Sequence, residues 1–506
     1  MLNFIDILLD RVTMYRLVLY YLLTILGVAA IGGAFGLVAV SPLGIIVSTI
    51  FLVAVCYITN TVFSRVFEAP TNVESVYITA LILACIITPF SRFDDLVVLG
   101  FAGMLAIASK YILAIGKKHI FNPVAISVLL ISYGLGASAI WWVGTLFMMP
   151  FIVVGGLLVL RKTQRFTMIS SFYATALGVI TIVGLINGTD LLMAYRQIFL
   201  SSPLFFFAYV MLTEPLTTPP KYSSQILYGG LVGLLFPPQV HFMSLYSTPE
   251  LALVIGNVFS YVLSPKSKLI LRLKEKIQIA PSVIDFVFTP EKKLAYQPGQ
   301  YLEWTLQHPH TDSRGNRRYF TLASSPTEDT LLLGVKFYAG GSSYKRALST
   351  LDNTLPVVAG QLAGSFLLPN DKTQKLVFIA GGIGITPFRS MLKYLVDTNE
   401  RRDIVVLFCN KLASDIVYKD VLDQAVSVLG IKVIYTVTDK EHVDPLWTGQ
   451  VGRIDAAMIG TEIPDWKERH FYLSGPHLMV AGFDKTLREM QLPGSHIKKD
   501  FFPGFA

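Results

Sequence analysis

The sequence predicts a multidomain membrane protein: an all-α polytopic bundle of about ten transmembrane helices, an antiparallel β-barrel, and a C-terminal α/β domain. Three observations predict it. The 506 residues are 53% hydrophobic and 15% charged, with mean hydropathy +0.56, yet the apolar runs are confined to residues 14–263. Segments 269–290, 299–306, 317–324, 331–338 and 355–368 then alternate apolar and polar residues between Gly and Pro, the period of half-buried strands. From Gln374 the pattern becomes buried strand, glycine turn and helix, repeated through apolar strands at 404–409, 432–437 and 470–474. The expected boundaries are 1–265, 266–370 and 371–506.

The apolar half divides into candidate spans at 15–40, 43–64, 74–90, 95–116, 122–135, 138–160, 166–186, 198–213, 222–240 and 248–264. With the N-terminus in the cytoplasm, inside segments hold Arg11, Arg16, Arg65, Lys117, Lys118, Arg161, Lys162, Arg165, Lys221, Lys266 and Lys268. Outside segments hold only Arg92, balanced by Asp94 and Asp95, and Arg196. This positive-inside pattern predicts a multi-pass protein of the cell membrane, in contact with lipid, with both its N-terminus and its C-terminal half in the cytoplasm. It also accounts for the net charge of +8 without a nucleic-acid partner. Cys56, Cys85 and Cys409 form no Cys-x-x-Cys or four-Cys set, so neither an iron–sulfur cluster nor a disulfide framework is expected. No other metal-ligating set is expected either.

Three polar, proline-broken strings interrupt the spans: Glu68-Ala69-Pro70-Thr71-Asn72, His119-Ile120-Phe121-Asn122-Pro123 and Thr213-Glu214-Pro215-Leu216-Thr217-Thr218-Pro219-Pro220. The topology puts all three on one side, and the first and third are alike, which suggests an internal repeat. Broken helices free backbone groups that need partners, and such places build binding sites. The plainer reading is that proline ends a helix. Asn122, Glu214 and Thr217 are the candidate ligand-binding residues of this half. The string at 119–126 followed by 207–220 resembles the D subunit of the Rnf electron-transport complex and the B subunit of the sodium-translocating NADH:quinone reductase. That resemblance implies an electron-transfer subunit carrying FMN or riboflavin. Many family members bind FMN covalently through a Thr in an outer-side motif; here that stretch reads Ser132-Tyr133-Gly134-Leu135-Gly136-Ala137-Ser138. It keeps Gly-Ala but lacks the motif's Asp and first Ser/Thr, leaving Ser138 as the hydroxyl at that place.

In the soluble half, Arg318-Tyr319-Phe320-Thr321 and Gly381-Gly382-Ile383-Gly384-Ile385-Thr386-Pro387 resemble, in order, the two signature motifs of the ferredoxin–NADP reductase family. The resemblance implies FAD and NAD(P)H as cofactor and substrate. By position, Arg318 pairs with the FAD pyrophosphate, a task suited to its charged planar fork. Phe320 replaces the family Tyr against the isoalloxazine, and Thr321 replaces Ser facing flavin N5. Pro298-Gly299-Gln300-Tyr301 matches the family's barrel strand, and Gly340-Gly341-Ser342-Ser343 its second phosphate turn. Gly381, Gly382, Gly384, Thr386 and Pro387 form the dinucleotide turn at a helix N-terminus. Ser474-Gly475-Pro476 resembles the family's Cys-Gly-Pro at the nicotinamide edge. Thr321 and Ser474 are thus the candidate catalytic residues. The tail, with Phe502 and Phe505, resembles the family's aromatic terminus that covers the flavin. NADH and NADPH are not distinguished; Asn410 and Lys411, after the fourth apolar strand, lie where some relatives grip a 2′-phosphate.

The function expected is a membrane flavoprotein oxidoreductase that passes electrons from NAD(P)H into or across the membrane, to a flavin, a quinone or an extracytoplasmic acceptor. The alternative is a redox-coupled sodium-translocating subunit. A haem route is disfavoured: His119 and His241 are the membrane half's two histidines, and the topology puts them on opposite sides.

Overall fold

The computed structural model describes residues 5, 9, 12–67, 73–115, 118–242, 245–263, 269–309, 311–312, 315–338, 340–443 and 445–500. The chain falls into two compact units that divide between Lys268 and Leu269.

The N-terminal unit is helical: α1 (Met14–Ala34), α2 (Pro42–Val66), α3 (Val73–Ile86), α4 (Phe93–Ile112), α5 (Pro123–Leu135), α6 (Met149–Thr163), α7 (Phe166–Ile186), α8 (Leu191–Leu200), α9 (Leu204–Met211), α10 (Tyr222–Leu235) and α11 (Pro249–Leu263). Every expected span contains a helix, but their lengths correct the count of ten. Among the described residues four helices, α1, α2, α4 and α7, are long and apolar enough to cross a membrane; α8 and α9 add a fifth if that pair, bent by 57°, is one span. The remaining helices are 13–15 residues long, and at 1.5 Å per residue they reach only about 20 Å of the roughly 30 Å needed.

The physical reason is visible at the helix ends. The apolar run 222–240 stops being helical at Leu235, just before Pro237-Pro238. The run 138–160 begins with non-helical chain. There the Trp141 amide donates to the Ile86 carbonyl that ends α3 (3.0 Å), its indole donates to Glu250 (2.8 Å), and its backbone turns to φ +48. Helix length does not carry the suggested repeat through: α1 and α7 are both 21 residues and α3 and α10 both 14, but α2 has 25 residues against 10 in α8, and α4 has 20 against 15 in α11.

The C-terminal unit has two lobes. The first is a six-stranded antiparallel sheet of β1 (Leu269–Ala280), β2 (Val283–Pro290), β3 (Tyr301–Thr305), β4 (Arg317–Thr321), β5 (Leu331–Lys336) and β6 (Val357–Ala363), in the order β4-β3-β6-β1-β2-β5. A hydrogen bond from the Ala323 amide to the Leu332 carbonyl (2.9 Å) curls the edges together. The interior holds Phe286, Phe288, Leu302, Trp304 and Leu333, each at most 1% exposed, and helix α12 (Ser343–Thr350) covers one end with Tyr344 and Leu348.

The second lobe is a parallel sheet, β7 (Leu376–Gly381), β8 (Ile404–Asn410), β9 (Lys432–Val437), β10 (Gln450–Val451), β11 (His470–Ser474) and β12 (Ile497–Lys499), in the order β10-β9-β8-β7-β11-β12. Helices α13 (Thr386–Asp397), α14 (Lys419–Leu429), α15 (Ala456–Glu462) and α16 (His477–Glu489) pack on it. Alternate β8 residues serve two cores: Val406 and Phe408 face α13 and α14, Val405 and Leu407 face α16. The strand is therefore apolar throughout, as a sheet covered on both faces requires.

Candidate functional site

The dinucleotide turn lies at the C-terminal end of the central strand. β7 is buried along its whole length between β8 and β11, so the chain must turn sharply to enter α13. It does so through a 3-10 turn at Gly382–Ile385, followed by Pro387 in the first turn of the helix. The glycines have different reasons to be there. Gly382 has φ +53, and a Cβ placed on it would meet nothing within 4 Å; it combines a left-handed backbone with open space in front of a helix N-terminus, where an anion fits. Gly384 has no such space. A Cβ there would lie 2.5 Å from the Ser474 carbonyl oxygen and 2.6 Å from Gly475 Cα. The two motifs, some 90 positions apart in the chain, are thus packed backbone to backbone.

Ser474 is 1% exposed and its hydroxyl bonds the Asp500 carboxylate (2.9 Å). It anchors the chain leading to the tail. Phe502 and Phe505 lie outside the described residues. Beside Gly382, at the end of β8, the Asn410 side chain is 4% exposed with neither its amide nitrogen nor its oxygen hydrogen-bonded.

On the barrel, strand pairing separates the first motif into two faces. Arg318 and Phe320 lie opposite Trp304 and Leu302; Tyr319 and Thr321 lie opposite Glu303 and Tyr301. The Arg318 guanidinium is stacked over the Tyr344 ring (5.0 Å) and donates to the Gly315 carbonyl (3.2 Å). Phe320 packs near the same ring at 6.1 Å. The Tyr319 hydroxyl is bonded to Glu303 (2.8 Å) and to Gln361 (3.1 Å), and Arg317 completes the pair with Glu303 (2.9 Å). Thr321, the last strand residue, is 5% exposed.

In the second glycine turn Gly340 has φ +76 with open space around it, and Ser342 caps α12 by accepting the Lys345 amide (3.2 Å). The Ser343 amide already has an acceptor, the Asp312 carboxylate at 2.8 Å; the Ser343 hydroxyl meets the Asp312 amide and His308 Nε2, each at 3.0 Å. A helix N-terminus attracts an anion, and here a side chain supplies one.

A polar joint fixes the spacing of the two lobes, and the motifs gave no sign of it. Arg389 of α13 pairs with Glu328 (Nη2 to Oε1, 3.0 Å) and donates to the Ala323 carbonyl (3.1 Å); Ser390 donates to the Ser324 carbonyl (2.6 Å). Tyr418, in a left-handed conformation at the start of α14, donates to Asp285 of β2 (2.6 Å), while a Cβ on Gly334 would collide with the Tyr418 hydroxyl. Burial raises the Asp285 carboxyl from 3.8 to about 6, against the opposing pull of the Tyr418 hydrogen bond.

In the N-terminal unit the second and third broken strings converge; the first, 68–72, lies outside the described residues. Asn122 caps α5, its side-chain oxygen accepting the Val124 and Ala125 amides (3.1 and 3.0 Å), and its amide nitrogen donates to Glu214 (2.9 Å). Thr217 donates to the same carboxylate oxygen (3.0 Å), and His119 Nε2 stands 3.6 Å from the other. Asn257 of α11 accepts from the Asn122 backbone amide (2.7 Å) and donates to the Tyr228 hydroxyl (3.1 Å). Asn257 and Tyr228 are fully buried. A single Asn within the last apolar segment was the sequence signal that could have flagged them. The chain enters this cluster from Phe207–Met211, a π-helical turn, a form that often accompanies functional sites. Ser138 is exposed, 3.2 Å from the Ser132 hydroxyl.

Comparison with known proteins assigns the C-terminal chemistry. Residues 378–485 match the family described as "Oxidoreductase NAD-binding domain". The chain is 30% identical over 236 residues to the stachydrine N-demethylase reductase subunit Stc4 of Rhizobium meliloti, covering 45% of this chain and 65% of that protein. It is 29% identical over 195 residues to an NADPH oxidoreductase of Mycobacterium tuberculosis, covering 38% and 48%. A flavohemoprotein of Bacillus cereus is 26% identical over 241 residues, covering 45% and 59%. The chain thus spans about half to two thirds of the length of these relatives.

At the dinucleotide turn the residues present fit such a group, with the open Gly382 turn in front of the α13 N-terminus and the unsatisfied Asn410 amide beside it; at the second turn the space around Gly340 is open, while the first amide of α12 is already taken by Asp312. The C-terminal unit carries an NAD(P)H oxidoreductase module, similar to the ferredoxin–NADP reductases, that binds FAD and a nicotinamide dinucleotide.

Proposed function

We propose that the whole chain is a membrane flavoprotein that oxidises NAD(P)H at its C-terminal module and delivers the electrons to the N-terminal unit. Bound FAD would supply the conversion of a two-electron hydride into single electrons. The chain's own residues then hold and orient. Gly382 and the start of α13 receive the dinucleotide phosphates. Gly340, Ser342 and Arg318 face the FAD pyrophosphate, and Thr321 the N5 edge. The packing of Gly384 on Ser474-Gly475, with the Tyr418–Asp285 and Arg389–Glu328 contacts, holds the two lobes at the spacing that direct hydride transfer needs.

The observation that carries the membrane part is the cluster of His119, Asn122, Glu214, Thr217, Tyr228 and Asn257. It is a hydrogen-bonded polar site inside an apolar helical unit, on the same chain as a reductase. Polar groups buried within an apolar helical unit are costly and usually mark a function. The resemblance of these strings to the Rnf D and sodium-pump B subunits supports FMN or riboflavin as occupant, with Asn122, Glu214 and Thr217 as ligands. The four long apolar helices support a membrane location, and the distribution of Lys and Arg supports a cytoplasmic module. The final acceptor would be a quinone or an extracytoplasmic electron carrier. Covalent FMN at Ser138 is the weaker form of this reading, since the motif around it lacks its Asp.

Flavin extraction combined with mass spectrometry of the intact chain tests it. More than one flavin per chain, falling to one in an Asn122→Ala/Glu214→Gln variant, is the expected result. One flavin in both removes the membrane flavin from the reading. A protein whose yellow colour does not bleach with NADH or NADPH removes the reading entirely. Sodium translocation is the second reading, favoured by the Glu214 carboxylate within the cluster. It requires sodium-dependent turnover or charge movement in proteoliposomes on adding NADH. A Soret band would indicate a haem route instead.

A further inference from the structure

The dinucleotide turn and the Ser474-Gly475 turn both touch a side chain that neither motif contains. Strands β7 and β11 run parallel, and their last paired residues are Ala380 and Ser474. Past that pair, strand register no longer holds the turn at Gly381-Gly382 to the turn at Gly475-Pro476. Gly381 has an ordinary extended backbone, φ −114 and ψ 111, so a left-handed conformation is not its reason. A Cβ on it would overlap the sulfur of Met479 and lie 2.5 Å from the terminal methyl of that side chain. A Cβ on Gly475 would lie 2.7 Å from the same methyl and 3.1 Å from Gly381 Cα.

Met479 is half-buried in the first turn of α16. That turn is anchored where it starts, the Met479 and Val480 amides both donating to the Pro476 carbonyl (2.9 and 3.0 Å). The thioether therefore reaches the two turns from a fixed backbone. Its unbranched chain, with three rotatable bonds, suits a gap of irregular shape. Gly381 and Gly382 are adjacent yet opposite in kind. At Gly382 the missing Cβ leaves open space; at Gly381 its place is already taken by protein. Hydride transfer needs reacting atoms about 3–3.5 Å apart, and a misplacement of about 1 Å costs on the order of 100-fold in rate. Whatever spaces these two turns therefore bears on that rate.

We propose that Met479 is a positioning residue for hydride transfer. Its thioether spaces the dinucleotide turn from the Ser474-Gly475 turn, and Gly381 is glycine to admit Met479, not to admit the dinucleotide. The proposal rests on the reading of the C-terminal unit as an NAD(P)H oxidoreductase with these two turns at its nicotinamide dinucleotide.

The test is stopped-flow bleaching of the flavin in the full chain in detergent. NADH or NADPH, whichever the unmodified protein uses, is varied to saturation, so that limiting rate and Kd are read separately. Met479→Ala is expected to lower the limiting rate at least ~10-fold with Kd changed less than ~3-fold, and Met479→Leu, close in volume, to recover most of the rate. Gly381→Ala is expected to do the same as Met479→Ala, because its methyl meets the thioether. In the double variant that methyl partly refills the space Met479 leaves. Its limiting rate is expected to be at least ~3-fold above either single variant, whereas independent effects would multiply to a loss of ~100-fold. A limiting rate in Met479→Ala equal to that of the unmodified protein overturns the proposal. So does a Gly381→Ala variant that keeps the limiting rate and raises Kd, the result expected of a glycine that admits phosphate; this arm stands even if Met479→Ala loses its FAD. A double variant slower than both singles overturns it as well. If the unmodified protein bleaches with neither dinucleotide, the reductase reading falls and this proposal with it.

Discussion

The two units use buried polar groups in opposite ways. In the C-terminal unit Arg389, Ser390 and Tyr418 tie lobe to lobe, and the nucleotide turn is made by what is missing: side chains at Gly382 and Gly340, and partners for Asn410. In the N-terminal unit the polar groups near the broken helices are joined to one another around Glu214, which accepts from Asn122 and Thr217 with His119 close by. The first arrangement leaves room for a ligand's phosphates at helix ends that exist regardless of the ligand. The second is a hydrogen-bonded network, and in an apolar surround its members depend on one another. A substitution in the first should therefore remove activity with little loss of stability, and one in the second should remove stability first.

The largest effect expected is on catalysis. Gly384→Val would drive the Ser474-Gly475 backbone away from the dinucleotide turn. It should abolish NAD(P)H oxidation while the barrel still holds FAD, with loss of turnover read by stopped-flow bleaching and FAD retention by absorbance after gel filtration. Surviving turnover would show that the two turns do not have to touch.

Glu214→Leu comes next. It leaves the Asn122 and Thr217 donors without their acceptor, at about 1–3 kcal/mol each. Thermal unfolding of the N-terminal unit should drop accordingly, while NADH-dependent ferricyanide reduction by the C-terminal module stays unchanged. Equal loss of both would contradict the contrast drawn between the units.

Asp285 gives a pH effect. A carboxyl that titrates near 6 in the folded chain and near 3.8 when unfolded holds its proton more tightly when folded. Its contribution favours the folded state fully below about pH 4 and is lost as pH rises through 6, by roughly 3 kcal/mol in all. Urea titrations of the full chain at pH 4, 5 and 6 should show this slope, and Asp285→Asn should flatten it. The smallest effect is expected at Lys293–Asp329, an ion pair whose side chains are 68% and 95% exposed. Lys293→Ala should change stability by less than about 0.5 kcal/mol in the same titrations. A larger change would mean that surface charge matters more to the barrel than its core contacts suggest.

Much of the C-terminal architecture was legible because its signals are local. Alternation with period two marked the barrel strands, and strand, glycine and helix in immediate succession marked the turn at Gly382. The polar strings at 119–123 and 213–220 were legible for a similar reason, since Asn, Glu and Pro are conspicuous in an apolar run. Helix length in the same half was not. Apolar composition continues through residues 136–148 although the backbone there is not helical; a distant carbonyl at Ile86 and a buried carboxylate at Glu250 hold it. No window of sequence contains those partners.

Composition and motif alone determined that an apolar helical half precedes a nucleotide-binding α/β half, because hydrophobic period and glycine placement act over a few neighbouring residues. Only the tertiary structure decided which helices are long enough to span, that Glu214 gathers Asn122 and Thr217, that Gly384 is glycine to admit the Ser474 backbone, and that Asn410 is left unsatisfied beside Gly382. The contacts of Glu214 with Asn122 and of Gly384 with Ser474 join residues far apart in the chain, and such contacts are fixed by packing.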